Sequence, residues 1–297
     1  MRRSIITCAA LGFICAATVL GWPVTASAQS QPTASRLGSD VSADSRWFVD
    51  SIQLDIEDVL SSPLYVASQQ SPFRSPKFYL SVVAAGAIWG TSFALDKTIQ
   101  SEVGHIAHSA HDVMENLSYT MLITAAGGTL LYGYYMDDPA ARRDPLTGLE
   151  AAGLGIGFNE LLERATGRRR PFQTRSSTAF FAGGRSFTSG DIVIESALAA
   201  GTSAYYQNEW YAAVPLYSLV LLEGFTLIGN NTQWFSDVIG GGLLGFTTAE
   251  ALLWLHRRQA LEPDRWRIFS IASPVGSVPS RANSIAPSLG LGVAYSW

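Results

Sequence analysis

Six long apolar stretches dominate the chain: Phe78 to Leu95, Leu117 to Met136, Leu149 to Leu162, Ile192 to Tyr206, Tyr211 to Ile228 and Val238 to His256. They are longer than ordinary strands and lack strict alternation, so they predict helices that bury their surfaces against one another or in lipid. Polar turns such as Asp137-Asp138-Pro139 and Asp144-Pro145 separate them. The expected fold is all-α, a helical bundle of about six core helices. At 297 residues the chain is long enough for one such domain, and a charged fraction of only 15% fits it. With 20 Lys and Arg against 24 Asp and Glu, no global positive field exists to collect nucleic acid, which is excluded as a partner.

The ends read differently. Met1-Arg2-Arg3, an apolar run to Trp22 and the small-residue site Ala26-Ser27-Ala28 predict a secretory signal peptide over 1–28. Both cysteines, Cys8 and Cys15, lie inside it, so the mature chain is expected to have no thiol chemistry. Residues 29–45, rich in Ser, Gln and Ala, read as a flexible tether. Trp47, Phe48, Ile52, Ile56, Val59 and Leu60 recur at helical spacing, predicting an amphipathic helix over 46–66. The helical domain is placed at 77–258. Beyond it, Arg265 to Ser270 and Leu289 to Trp297 alternate apolar and polar residues, so 259–297 is expected to be a linker and a small β-hairpin.

Three segments carry candidate chemistry. They are Glu163 to Pro171, reading E-R-A-T-G-R-R-R-P; Ser186 to Asp191, reading S-F-T-S-G-D; and Gly224 to Gly241, which ends S-D-V-I-G-G. In order and spacing they resemble the signature of the type 2 phosphatidic acid phosphatase and vanadium haloperoxidase superfamily, K-x6-R-P, P-S-G-H and S-R-x5-H-x3-D. The resemblance covers the helical core. It implies that a lysine, two arginines and backbone amides hold a phosphate. One histidine then attacks phosphorus, an aspartate orients it, and a second histidine protonates the leaving group.

Carried over position by position, most of this set is replaced. Glu163 stands at the lysine, Arg170 is kept, Asp191 stands at the acid histidine, Leu227 at the second arginine and Gln233 at the nucleophile, while Asp237 is kept. A carboxamide cannot replace an imidazole in forming a phosphoenzyme, so chemistry by the family route is expected to be lost. One arginine now faces three carboxylates where the family pattern is net positive, an arrangement that repels phosphate.

Some anion-binding character survives in Arg168, Arg169 and Arg170 and in the backbone of Ser189 and Gly190 at an expected helix N-terminus. The competing expectation is that Glu163 and Asp191 pair with these arginines, with Asp191 also capping its own helix. No cofactor is expected. A divalent cation is the one alternative, held by Glu163, Asp191 and Asp237, or by His108, His111, Asp112 and Glu115 at i, i+3, i+4 spacing on one helix. His105 precedes that cluster, which otherwise reads as a polar linker helix.

The reading is a pseudoenzyme of the cell envelope, a non-catalytic binding or scaffold protein whose partner is a membrane lipid or an envelope protein. The alternatives are an active phosphatase on lipid or other phosphomonoesters using a non-standard nucleophile such as Asp191 or Asp237, and a divalent-metal-binding module. Glu195 and Glu223 interrupt later helices and the third stretch is short, which favours a periplasmic or secreted bundle slightly over an integral membrane protein.

Overall fold

The computed structural model describes residues 38–52, 76–104, 108–261, 267–270 and 291–294. Within them run helices α1 (38–52), α2 (Pro76–Val103), α3 (His108–Met136), α4 (Pro139–Thr166), α5 (Gly190–Tyr205), α6 (Trp210–Gly229) and α7 (Phe235–Leu261). Strand β1 (Arg267–Ser270) runs antiparallel to β2 (Leu291–Ala294), with Arg267 opposite Ala294. The fold is an all-α bundle. The expected leader, residues 29–37 and 53–66, and His105 lie outside the described residues.

Two boundaries differ from the sequence expectation. Helix α1 starts at residue 38, inside the segment read as a tether, because Asp44 is drawn inward. Its carboxylate is 3% exposed and accepts from Arg142 Nε at 2.6 Å. Replacing Asp44 with Ala should cost about 1.5–3 kcal/mol of docking, the range for a hydrogen bond to a charged group. Hydrogen exchange over 38–52 should then accelerate about tenfold or more, since 1.4 kcal/mol is a factor of ten. Unchanged exchange there would show that the pair does not hold α1.

Asp144-Pro145, expected as a turn, lies instead inside α4. Asp138 caps that helix, accepting from Ala140 N–H and Ala141 N–H, and Pro139 occupies its first turn. The helix continues through Pro145, which lies in its second turn and forgoes one backbone hydrogen bond there, and Gly167 closes the far end in the left-handed region at φ 53°.

Helix α5 is the axis of the bundle. From Ile192 to Ala204 nearly every residue is buried, as for a helix enclosed on all sides. Its small residues let neighbours approach closely: Gly148 of α4 lies against Gly201, and Gly245 of α7 against the carbonyl of Val193. Leu122, Ile192, Leu216, Val220, Leu227 and Val238 form one apolar core among α3, α5, α6 and α7. Ala151, Ala152, Ala197, Ala200, Ala249 and Leu252 form a second among α4, α5 and α7.

The outer surface is apolar over long stretches. Leu80 (70% exposed), Val83 (67%), Leu131 (69%) and Leu221 (68%) point away from the bundle. Helices α2, α6 and α7 are each long and apolar enough to cross a membrane.

Candidate functional site

The first signature segment leaves α4 through the Gly167 turn, which redirects the chain so that Arg168 enters the core and is 0% exposed. Its carbonyl accepts from Ser186 N–H at 3.0 Å, and Gly184 packs so tightly on it that a Cβ there would lie 2.1 Å away. Only glycine fits at that crossing.

The Arg168 guanidinium donates through Nη2 to Asp96 Oδ2 at 2.6 Å, through Nη1 to Asp237 Oδ1, and through Nη1 to Ser236 Oγ at 2.7 Å. Nε and Nη2 both donate to the carbonyl of Ser177. The rings of Phe93, Phe180 and Trp234 enclose it, their centroids 5.1, 4.9 and 5.6 Å from the guanidinium carbon. The carboxylates are equally committed. Asp96 accepts from Ser236 N–H and Oγ at 2.8 Å each, and Asp237 accepts from Ser186 Oγ and Trp234 N–H. The result is a fully buried triad, Asp96–Arg168–Asp237, tying α2, the segment after α4 and the first turn of α7.

This triad overturns the expectation that Arg168 is free to bind an anion: its donors are spent on the protein. The other arginines are also tied back. Arg169 Nε donates to the Ala182 carbonyl at 3.0 Å, and Arg170 Nε to the Arg185 carbonyl at 3.1 Å. Ion pairs do form in this region, but not with the carboxylates expected. Arg164 and Arg185 meet Glu160 at 2.8 and 2.7 Å. Glu163 accepts from Asn159 Nδ2 at 3.1 Å, and partial burial raises its pKa above the ordinary carboxylate value.

The second and third segments meet Arg168 from the other side. Ser186 Oγ stands 3.3 Å from Gln233 Oε1 while donating to Asp237, so the buried Gln233 belongs to the same network. Ser189 N–H donates to the Asp237 carbonyl at 3.1 Å, so that amide is not available to an anion either, and Gly190 opens α5 beside Asn159. Ser189 is the N-cap of α5, with no side-chain cap bond. Asp191, expected as a cap, instead accepts from Tyr119 Oη at 3.3 Å. Leu227 is 4% exposed and packs in the apolar core.

The three carboxylates considered for a metal thus go to separate partners: Glu163 to Asn159, Asp191 to Tyr119, Asp237 to Arg168. Among the described residues no group of three or more His, Cys, Asp or Glu is arranged to hold a metal ion. The side chains of His108 and His111 lie outside the described residues; Asp112 is exposed and Glu115 half-buried. Sequence reasoning missed Asp96. Its signal was a lone acid at the end of an apolar stretch, which is affordable there only with a buried cation. No family model, curated protein or solved structure matches the chain.

Proposed function

We propose that the chain is a non-catalytic member of the type 2 phosphatidic acid phosphatase and haloperoxidase superfamily, embedded in an envelope membrane as a binding or scaffold protein. The observation that carries this reading is the fate of the signature. The three segments that resemble the family's phosphate site converge on one another, yet the point of convergence is filled by Arg168 and closed by Asp96 and Asp237. A covalent phosphoryl mechanism needs an exposed nucleophile beside free anion-binding donors. Gln233 is buried and is not a nucleophile, Asp237 is 0% exposed, and the Ser189 N–H is bonded to the chain.

The membrane placement is supported by outward-facing apolar side chains on α2, α3 and α6, such as Leu80, Val83, Leu131 and Leu221, and by the length and apolarity of α2, α6 and α7. Glu195 and Glu223, whose presence argued for a soluble bundle, do not face that surface. Both are 0% exposed and point into the interior, where polar residues of membrane bundles reside.

Purified full-length protein in detergent is expected to hydrolyse neither p-nitrophenyl phosphate nor phosphatidic acid above background, and to trap no phosphate covalently. Because Asp237 is held by Arg168, the variant Glu163→Lys, Asp191→His, Leu227→Arg, Gln233→His should stay silent too, its new histidine lacking an orienting carboxylate. Turnover by the wild type that disappears in Asp191→Ala would overturn the proposal in favour of a carboxylate-based phosphatase.

A further inference from the structure

A second cluster of ionisable groups lies among α3, α5 and α6, away from the Arg168 triad. Glu195 and Glu223 are both 0% exposed, and each keeps one carboxylate oxygen buried without a hydrogen-bond partner, Oε2 of Glu195 and Oε1 of Glu223. Their other oxygens are bonded. Ser118 Oγ donates to Glu195 Oε1 at 2.7 Å, and Thr226 Oγ1 to Glu223 Oε2 at 3.1 Å. Ser118 favours the charged form of both carboxyl groups.

The surroundings are acidic. The charged groups acting most strongly on Glu195 are Glu223 of α6, Asp191 of its own helix and Glu115 of α3. Those acting on Glu223 are Glu115 and Asp191. Tyr119 of α3 adds a phenol bonded to Asp191. Helices α4 and α7 press on α5 through Gly148, Gly241 and Gly245, which bring no charge. Asp191 and Glu115 are half-buried, while Glu195, one turn beyond Asp191, is fully enclosed.

We propose that Glu195 and Glu223 form a buried proton-binding pair, loaded from solvent past the half-buried carboxylates Asp191 and Glu115. Two adjacent buried carboxylates cannot both carry charge without a cation between them, and a proton is the occupant the geometry favours. The hydroxyl donors are already committed, and no described group of three carboxylate or imidazole ligands is arranged for a metal. A proton taken from hydronium forms one O–H bond on a free carboxylate oxygen, turning an unsatisfied acceptor into a donor. On release the proton returns to water by way of Asp191 or Glu115, and the pair regains its charge. Helix α5 has 16 residues, shorter than a membrane span requires, and is enclosed by its neighbours. Burial, reinforced by Glu223, pushes the Glu195 carboxyl up from 4.5 to about 8.

The linkage has a definite sign. A folded-state pKa above the unfolded one means that the folded chain keeps a proton the unfolded chain has released, so stability falls as pH rises between about 4.5 and 8 and levels beyond.

The test is infrared difference spectroscopy of the full-length protein in detergent, following the carbonyl stretch of protonated carboxyl groups against pH, with thermal unfolding alongside. The wild type should hold a protonated-carboxyl band at pH 7 that titrates away near pH 8. Glu195→Gln should remove that band and flatten the stability slope. Glu223→Gln should move the titration to lower pH, because it removes the neighbouring charge, and Ser118→Ala should move it higher, because it removes the donor that favours the charged form. Absence of the band at pH 7 in the wild type would overturn the proposal without recourse to any variant. So would its persistence in the folded Glu195→Gln, Glu223→Gln double variant, or its displacement at pH 7 by millimolar Na⁺ or Ca²⁺, which would make the occupant a metal ion.

Discussion

Replacing Arg168 with Met should destabilise the protein by about 3–5 kcal/mol, the loss expected when one member of a buried ion group is removed and its partners keep their charge. The variant leaves Asp96 and Asp237 facing each other at 0% exposure, and leaves the carbonyl of Ser177 without two donors. It also empties the space among Phe93, Phe180 and Trp234 of its cation. The loss should be visible as a lower thermal midpoint by circular dichroism in detergent. Acidification, which neutralises carboxyl groups, should recover part of it. Adding Asp96→Asn and Asp237→Asn to Arg168→Met should recover more than acidification does, since it removes the uncompensated charges rather than waiting for protons. A single Arg168→Met variant as stable as the wild type would mean that Arg168 is not the bolt of this site. The phosphate-site resemblance would then have to be reconsidered with Arg168 free.

The helices were legible because long apolar stretches leave few alternatives, but the start of α4 at Pro139 was not, because Asp144-Pro145 read as a turn rather than as part of a helix capped by Asp138. What the sequence could not display was pairing across distance. Asp96 and Arg168 are 72 positions apart, and nothing local to either marks the other as its partner. The arginine-rich run looked like an anion site because spacing alone cannot tell an arginine that faces solvent from one carried inward by an αL turn. Glu163, Leu227 and Gln233 were legible as departures from the resembled signature. That Arg168 fills the space where the three segments meet was not. The burial of Glu195 and Glu223 was illegible for a related reason. An acid in an apolar helix signals expense, and only the three-dimensional neighbours decide whether it faces water, lipid or another acid.

The closest helix crossings make the second large effect. A Cβ added at Gly201 would sit 2.4 Å from Gly148 Cα, 2.6 Å from Gly148 N and 2.8 Å from the Asp144 carbonyl. All three are backbone atoms, which cannot rotate aside as a side chain would. Gly201→Ala should therefore push α4 off α5 and cost at least the ~1–3 kcal/mol typical of overpacking, even though alanine in a helix interior is by itself favoured over glycine by about 1 kcal/mol. Gly245→Ala should act alike from the other side, where the added Cβ would lie 2.2 Å from the Val193 carbonyl. Gly153→Ala provides the opposite sign within the same bundle. That position is exposed on α4 with nothing within 4 Å of an added Cβ, so only the propensity gain remains and the midpoint should rise slightly. Because α5 carries Glu195 of the acid pair and the end of the second segment, Gly190-Asp191, Gly201→Ala should also loosen amide protection around Ser189 and Glu195, whereas Gly153→Ala should not. If Gly201→Ala and Gly153→Ala shifted the midpoint alike, the close crossing of α4 on α5 would not be what holds this bundle's axis in place.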